Sequence, residues 1–339
     1  MAFPPGTACP QRPDFHGRFT RCHGLHVSQW RDRPWAIEGG AATIRTAHPP
    51  FSQPPPPCPA FCAVCASLPP MTDSTAIIRL RGLRLERGGR VVLRDLDLEI
   101  ARGEVVAVFG PSGSGKSTLL SALTGELAPS AGSVEVLDRP VPAAGRALLD
   151  LRKGLGVLLQ GNGLLTDLTA AENVALPLRT HTDLPAPVIA RLVDMKLHAV
   201  GLRAAADAFP RELSGGMARR VALARALALD PPLMLYDEPL TGLDPIACGV
   251  VMSLVRRLND TLGLTSVVVT HHVHETLPVA DRAVVIADGR LVFSGTPAEL
   301  QASSDPLIRQ FLDGQPDGPI PFDNSTFAGA VSASAQDAA

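Results

Sequence analysis

The residues from Gly110 to Thr118, GPSGSGKST, have types and spacing suited to holding phosphate groups. They match GxxxxGK[ST] and lie between an apolar segment, EVVAVF, and a helical pattern that stops at Gly125. Glycines let backbone N–H groups approach phosphate oxygens, and the helix start adds unpaired N–H groups and a positive dipole end. The Ser117 hydroxyl is predicted to hold Mg²⁺. The predicted nucleoside triphosphate site consists of Gly110, Pro111, Ser112, Gly113, Ser114, Gly115, Lys116, Ser117 and Thr118.

Two carboxylates and a histidine follow later apolar segments of the chain. Asp237 and Glu238 come directly after the run LMLY, and His271 comes just after SVVVT. Because open parallel sheets bind ligands at the carboxyl ends of their strands, we expect these side chains to meet there. Asp237 is then predicted as a Mg²⁺ ligand, Glu238 as the general base or water-orienting group, and His271 as a donor to the γ-phosphate.

Two other interpretations of these residues are weaker. Asp237 and Glu238 could be surface acids in a loop, which the apolar strand before them disfavours. His271 could also join a metal cluster with its neighbours His272, His274 and Glu275. Four residues so close in sequence do not converge easily on one ion, so we expect the three neighbours on a solvated helix start.

A second helix start carries another anion-binding pattern. The segment LSGGM, Leu213 to Met217, places Ser214 and two glycines before the run ARRVALARALAL. One nucleotide needs only one phosphate loop, so this second helix start is predicted to close over ATP held by another copy, in a two-fold dimer. The arginines of the following helix are predicted to form a solvated face rather than a nucleic-acid patch: Arg219, Arg220 and Arg225.

The elements that must position these residues indicate an α/β protein. Short strands are predicted to form an antiparallel sheet, at Ile77–Leu80, Arg90–Leu96 and Ser133–Val136. Apolar runs that alternate with helices predict a parallel sheet, with strands in LGVLLQ up to Gln160, at Leu233–Tyr236 and at Ser266–Thr270. A last hairpin is predicted from Arg282–Ala287 and Arg290–Ser294. Helices are predicted after the Thr169 cap, at Leu184–Val200 and at Pro245–Leu262.

The first seventy residues differ in composition from the rest. They hold five of the six cysteines, both tryptophans and a run of four prolines, without a sustained hydrophobic period. We therefore expect residues 1–70 not to fold and Met71 to be the true start, preceded by upstream sequence read in frame. A zinc site is the alternative there, although its spacing fits no standard pairing: Cys22, His23, His26, Cys58, Cys62 and Cys65.

The overall composition limits the classes of function. The chain of 339 residues has a net charge of −2 and 45% hydrophobic residues, as globular proteins do. Since nothing suggests a polyanion-binding surface, nucleic acid is not an expected partner. No apolar run reaches the roughly 18 residues of a membrane span. Any membrane work is therefore expected to proceed through a partner.

The motifs, in their order, resemble those of the nucleotide-binding subunit of an ABC transporter. They are GPSGSGKST, Gln160, LSGGM, LMLYDEP, LTGLDP and His271, and the resemblance covers Ile77 to about Leu300. It implies a P-loop NTPase fold with a RecA-like parallel sheet, an antiparallel β subdomain and an α-helical subdomain at about 166–229. It also implies an ATPase domain at 75–302 that uses ATP and Mg²⁺.

The same resemblance implies roles for further residues. Gln160 would contact Mg²⁺, act with the catalytic residues and sense the membrane partner, while Asp244 would lie at the dimer seam. The residues expected to bind the other copy's ATP are Ser214, Gly215 and Gly216. Two positions depart from the family pattern. Arg87 stands where an aromatic residue usually stacks on adenine, a role that a guanidinium can fill, and Met217 replaces the common glutamine.

Finer features are similar to the Mla-type ATPases of Gram-negative bacteria: ELSGGMARR, LPAPVIARLVDMKLHAVGL and FLDGQPDGPIPF. This implies ATP-driven movement of phospholipid between the inner membrane and a periplasmic carrier that serves the outer membrane. It implies a homodimer on the cytoplasmic face of the inner membrane, with a permease, a periplasmic lipid-binding subunit and a STAS-domain subunit. A carboxyl-terminal extension at 303–339 would reach the opposite ATPase. Because the residues from Asn324 are small and polar, we expect the end of this extension to be disordered.

Two other functions stay open at this point. One is an ABC importer ATPase for another solute, such as an amino acid or an ion. The other is a soluble ABC ATPase acting on DNA or ribosomes, which usually has tandem cassettes or long coiled-coil insertions. This sequence shows neither feature.

Overall fold

The structure is a computed structural model that describes residues 76–320. The predictions for residues 1–70, including the zinc-site alternative, and those for the residues from Asn324 lie outside this range. The strands in the described range are, in chain order, β1 (Ala76–Arg87), β2 (Arg90–Ala101), β3 (Val105–Phe109), β4 (Ala131–Val136), β5 (Arg139–Pro140), β6 (Leu155–Leu158), β7 (Leu233–Asp237), β8 (Thr265–Val269), β9 (Arg282–Ala287) and β10 (Arg290–Gly295). The helices are α1 (Lys116–Leu123), α2 (Arg146–Lys153), α3 (Ala170–His181), α4 (Ala186–Ala199), α5 (Gly215–Ala226), α6 (Pro245–Leu262), α7 (Val273–Thr276), α8 (Pro297–Ala302) and α9 (Pro306–Asp313).

One sheet is antiparallel, with the strand order β2-β1-β4-β5. This confirms the predicted sheet, although β1 and β2 each run for 12 residues, well beyond the predicted strands. The longer β2 follows from strict alternation in its second half, where Leu96, Leu98 and Ile100 are buried and the acids between them are exposed. The two strands are joined by a turn at Gly88 and Gly89, both at positive φ.

The second sheet has the order β10-β9-β3-β8-β7-β6, with parallel pairing from β9 to β6 and an antiparallel β10. Every residue of β3 and β8 is buried, as expected for parallel strands covered on both faces. The predicted hairpin of β9 and β10 is confirmed. Because β3, β7 and β8 are parallel neighbours, Gly110, Glu238 and Thr270 follow them at one edge of the sheet.

Helices α3, α4 and α5 pack together through one apolar core, to which Leu178, Val193 and Val221 belong. The predicted Thr169 cap is confirmed: its hydroxyl accepts from Glu172 N at 3.2 Å, and Glu172 Oε2 accepts from Thr169 N at 2.9 Å. Helix α5, which Ser214 caps, contacts the loop that follows β6 through Arg219 and Arg225.

The last described residues pack on the sheet and then turn back on helix α9. Ile308 is buried in a core cluster with Phe109 and Leu300. The Gln310 side chain donates to Ile320 O at 3.1 Å and accepts from Ile320 N at 2.7 Å, which fixes the chain after the helix. Within residues 76–320 no helix combines the length and the apolar character that a bilayer span requires.

Candidate nucleotide-binding site

The predicted phosphate loop connects β3 to α1 and depends on glycines at two close approaches. Gly110 has φ 148°, and a Cβ there would lie 2.0 Å from Ile286 O. Gly115 has φ 102° and caps α1, and a Cβ there would lie 2.6 Å from Leu93 Cδ2. Any larger residue at either position would collide with its neighbours and strain the backbone. The loop can therefore keep its backbone bare toward a ligand.

Polar groups inside this loop fit a phosphate. Lys116 is 7% exposed, and its ammonium donates to Gly110 O at 2.7 Å and to Pro111 O at 2.8 Å. Burial lowers the pKa of Lys116, against the opposing effect of the nearby Glu238 and Asp237 carboxylates. The buried Ser114 hydroxyl has no hydrogen-bond partner within the described residues. A buried cation and an unsatisfied hydroxyl beside bare backbone suit a bound anion.

The two predicted Mg²⁺ ligands on α1 and β7 are in direct contact. Ser117 Oγ donates to Asp237 Oδ1 at 3.1 Å. Burial raises the pKa of Asp237, and the bond from Ser117 partly offsets this effect. A hydroxyl and a carboxylate at hydrogen-bond distance form a hard oxygen donor pair, which is what Mg²⁺ prefers.

Glu238 and His271 also meet at this edge of the sheet. The carboxylate Oε2 of Glu238 lies 2.9 Å from His271 Nδ1 and accepts from Thr270 Oγ1 at 3.2 Å. Glu238 itself has φ 47°, in the left-handed region, and its N–H donates to Val269 O at 2.9 Å. The strand β7 thus ends in a sharp bend that turns the second carboxylate toward the end of β8.

Most of the residues predicted to act on the ATP of their own copy line one cavity of about 450 Å³. Its lining also includes Val92, which no sequence pattern indicated, and Thr241, which belongs to the LTGLDP motif but had no predicted role. Arg87 does not line it and is exposed at the end of β1, opposite Arg90. The predicted residues that line it are Ser112, Gly113, Gly115, Lys116, Ser117, Thr118, Gln160, Glu238 and His271.

The residues predicted to act on the other copy's ATP form a separate site. The Ser214 hydroxyl caps α5 by accepting from Met217 N at 3.3 Å, and Asp244 Oδ1 caps α6 by accepting from Ile246 N and Ala247 N, each at 3.0 Å. Ser214 and Asp244, with Gly215 and Gly216, line a cavity of about 220 Å³. This cavity shares no lining residue with the phosphate-loop cavity.

The prediction of a solvated arginine face on α5 is wrong. Arg219 is 3% exposed, and Arg219 and Arg225 both donate to backbone carbonyls of the loop after β6. Arg220 is half-buried and donates to Val200 O at 3.1 Å. Helix α5 contains no acid, so these cations have no carboxylate within one turn of their own helix. The lack of acids in this helix could have indicated, from the sequence alone, that its arginines bind backbone carbonyls elsewhere in the fold.

Comparisons with known proteins agree with this geometry. A family model described as ABC transporter matches residues 93–241. The chain is 48% identical over 254 residues to the intermembrane phospholipid transport system ATP-binding protein MlaF of Escherichia coli K12, covering 74% of this chain and 94% of MlaF. It is 48% identical over 247 residues to MlaF of Haemophilus influenzae, covering 73% of this chain and 94% of that protein.

A solved structure supports the fold in the same way. The dimeric post-hydrolysis state of the ATP-binding cassette MJ0796, bound to ADP and Pi, aligns with a TM-score of 0.60 and 31% identity. The alignment covers 65% of this chain and 98% of that one. The chain therefore belongs to the ABC transporter family of ATP-binding proteins, as an ATPase related to those of the Mla type.

Proposed function

We propose that this chain is the ATP-hydrolysing subunit of a transporter that moves phospholipid between the inner membrane and a periplasmic carrier. The observation that supports ATP hydrolysis is a pair of contacts beside the phosphate loop. Ser117 contacts Asp237, and Glu238 contacts His271. The similarity to MlaF over nearly its whole length supports the choice of phospholipid as the solute. This activity would maintain the lipid asymmetry of the outer membrane.

In the proposed reaction the chain's own residues bind the triphosphate and direct a water. Lys116 and the loop N–H groups hold the phosphates, and Mg²⁺, on Ser117, Asp237 and Gln160, would neutralise charge on the β- and γ-phosphates. Glu238 accepts a proton from the attacking water as the new P–O bond forms and the bond from γ-phosphorus to the β,γ-bridging oxygen breaks. With Nδ1 at 2.9 Å from Glu238 Oε2, His271 has Nε2 left for the γ-phosphate.

We propose that each complete site joins two copies of the chain. Ser214, Gly215, Gly216 and Asp244 form a cavity apart from the phosphate loop of their own copy, so a second copy is needed to bring them to a γ-phosphate. The dimeric MJ0796 cassette is a precedent for such an assembly. Arg87, exposed at the end of β1, is proposed to stack on the adenine.

The proposed membrane contact is an open groove of about 1000 Å³ between α2, β6 and the ends of α3 and α5. Its apolar lining includes Leu149, which is 57% exposed, with Val157 and Pro177. Nearby in sequence, Leu159 and Leu165 are about half exposed, at 51% and 47%. We propose that a cytoplasmic segment of the permease occupies this groove and holds the ATPase on the cytoplasmic face of the inner membrane. The periplasmic lipid-binding and STAS-domain subunits are proposed as further members of the complex.

The proposal is tested in a strain that lacks the chain. We expect phospholipid to accumulate in the outer leaflet of the outer membrane, with sensitivity to detergent and chelator, and we expect rescue by the native chain but not by Glu238→Gln. The tagged chain should purify from membranes with a permease. A nutrient requirement with unchanged outer-membrane lipids would instead indicate an importer of another solute. A soluble monomer without a permease would indicate the class that acts on DNA or ribosomes.

A further inference from the structure

The loop after β6, residues 159–163, is held from helix α5 by two guanidinium groups. Arg219 Nη1 donates to Leu159 O at 3.0 Å and to Gln160 O at 2.9 Å. Arg225 donates to Asn162 O at 3.1 Å and to Gly163 O at 2.5 Å. Four of the five backbone carbonyls of this loop are therefore bound by one helix. The backbone of Gln160 has its position fixed from α5, whereas its side chain remains exposed toward the nucleotide cavity.

Arg219 is an unusual residue for this place. It is 3% exposed, and its described hydrogen bonds go only to carbonyl oxygens. Burying a cation without a carboxylate costs free energy, and burial accordingly lowers the pKa of this guanidinium. An apolar residue of similar volume would fill the core without that cost. The planar fork of arginine has one property that such a residue lacks, which is to bind several carbonyls in fixed directions.

The third carbonyl bound by Arg219 lies outside the loop that contains Gln160. Arg219 Nη2 donates to Thr241 O at 3.2 Å, in the turn that follows Glu238. Thr241 N donates to Glu238 O at 3.4 Å, and Thr241 lines the nucleotide cavity. One side chain therefore joins α5, the Gln160 loop and the turn after the proposed general base.

Arg225 extends the same link to the groove proposed for the permease. Its side chain lines that groove while it binds the carbonyls of Asn162 and Gly163. These two residues have φ 59° and 60°, and a Cβ on Gly163 would lie 3.1 Å from Arg225 Nη2. A ligand bound in the groove would therefore contact Arg225, the same side chain that binds the loop carbonyls.

We propose that Arg219 and Arg225 form a tether that positions Gln160 from helix α5. Because Ser214 caps α5, the tether joins a proposed Mg²⁺ ligand of one ATP to the surface that closes on the other ATP. Arg219 and Arg225 are thus positioning residues, since they act through Gln160 and do not touch the nucleotide. This inference rests on the role proposed above for Gln160.

The test compares the affinity of the full chain for a non-hydrolysable ATP analogue in Mg²⁺ and in EDTA. The dissociation constant in EDTA divided by that in Mg²⁺ gives a ratio that reports the contribution of the metal without any turnover. Groups that orient metal ligands typically contribute 10- to 100-fold to metal affinity. We expect Arg219→Gln to lower the ratio about tenfold, with binding in EDTA unchanged. An unchanged ratio in a folded Arg219→Gln protein would refute the tether.

A double-mutant cycle with Gln160→Ala shows whether Arg219 acts through Gln160. We expect Arg219→Gln to have no further effect on the ratio once Gln160 is alanine. Two independent, multiplying losses would contradict the tether, whereas an unchanged ratio in Gln160→Ala alone would contradict the proposed Mg²⁺ role of that residue. The failure of the tether and the failure of the proposed site are therefore distinguishable.

Two further variants separate positioning from folding. Arg282→Gln removes a half-buried arginine that binds Glu104 Oε1 at 2.8 Å, and Arg282 begins β9, at the opposite end of the sheet from the cavity. It should lower the melting temperature and leave the ratio unchanged; a lowered ratio would mean that lost stability alone explains the effect. If Arg219→Gln does not fold, Arg225→Gln takes its place, because Arg225 is only half-buried. A fall of about threefold or more is expected, and an unchanged ratio would count against the tether.

Discussion

Replacing Glu238 by Gln separates the catalytic role of this carboxylate from its packing. The Glu238 side chain is 12% exposed, and its Oε2 is 2.9 Å from His271 Nδ1 and 3.2 Å from Thr270 Oγ1. A glutamine oxygen can accept from Thr270 Oγ1 and face His271 Nδ1 as the carboxylate does, so the substitution preserves both contacts. We therefore expect the unfolding free energy to change by less than about 0.5 kcal/mol. ATP binding should persist, because the substitution removes a negative charge from beside a polyanion.

The rate of hydrolysis should fall sharply in the same variant. Loss of a general base costs 10²- to 10⁴-fold in rate, or about 3 to 5 kcal/mol of barrier. Phosphate release by the full chain in its transporter complex gives kcat, and fluorescent ATP gives the affinity. The matched control is Glu275→Gln, which changes a nearby acid on α7 that does not line the cavity. A fall in kcat of less than roughly tenfold would refute the role of Glu238, as would an equal loss in the control.

The structure makes two predictions about stability and packing. Thr169→Ala removes the cap of α3 and should cost about 1 kcal/mol, a fall of about 2 to 4 °C in melting temperature. The hydrogen bonds from Thr169 lower the pKa of Glu172, so this carboxylate stabilises the fold above the ordinary glutamate pKa, and the effect is lost as the pH falls through the lowered value. The destabilisation by Glu172→Gln should therefore shrink in acid, and a difference that does not depend on pH would contradict the cap. Gly115→Ala should weaken ATP binding strongly, because a residue with a Cβ is strained at φ 102° and that Cβ would lie 2.6 Å from Leu93 Cδ2. Gly249→Ala, with nothing within 4 Å of its Cβ, should instead stabilise α6 by about 0.5 to 1 kcal/mol in thermal unfolding. An equal loss of ATP binding in the two variants would contradict the packing argument.

The parts of the site that sequence could predict are those written in contiguous residues. The glycines and Lys116 of the phosphate loop, and the acids after LMLY, need only a strand before them and a known sheet edge to be located. The structure confirms the pairing of β3 with β8 and of β8 with β7, which brings Asp237 and His271 to that edge. Parallel pairing between apolar strands was predictable because both faces of such strands must be buried.

The parts that sequence missed depend on backbone atoms that are distant in the chain. Arg219 binds carbonyls 60, 59 and 22 residues away, and every residue type offers the same carbonyl. Helical periodicity therefore placed these arginines on a solvated face, whereas tertiary packing buries the first of them. The bend at Glu238 was missed for a related reason, because a glutamate at φ 47° follows from the surrounding sheet and not from local preference.

Two heterodimers, one with a single inactivating substitution in each copy and one with both substitutions in the same copy, test whether a complete site needs two copies. Lys116→Ala disables the phosphate loop, and Ser214→Arg disables the surface proposed to close on the other copy's ATP. With one substitution in each copy, both defects fall in the same composite site, so the tandem-purified heterodimer should keep about half of the native ATPase activity. With both substitutions in one copy and a native partner, both sites are damaged and the activity should be lost. The reverse pattern, loss in the first heterodimer and half activity in the second, would contradict a site shared between copies.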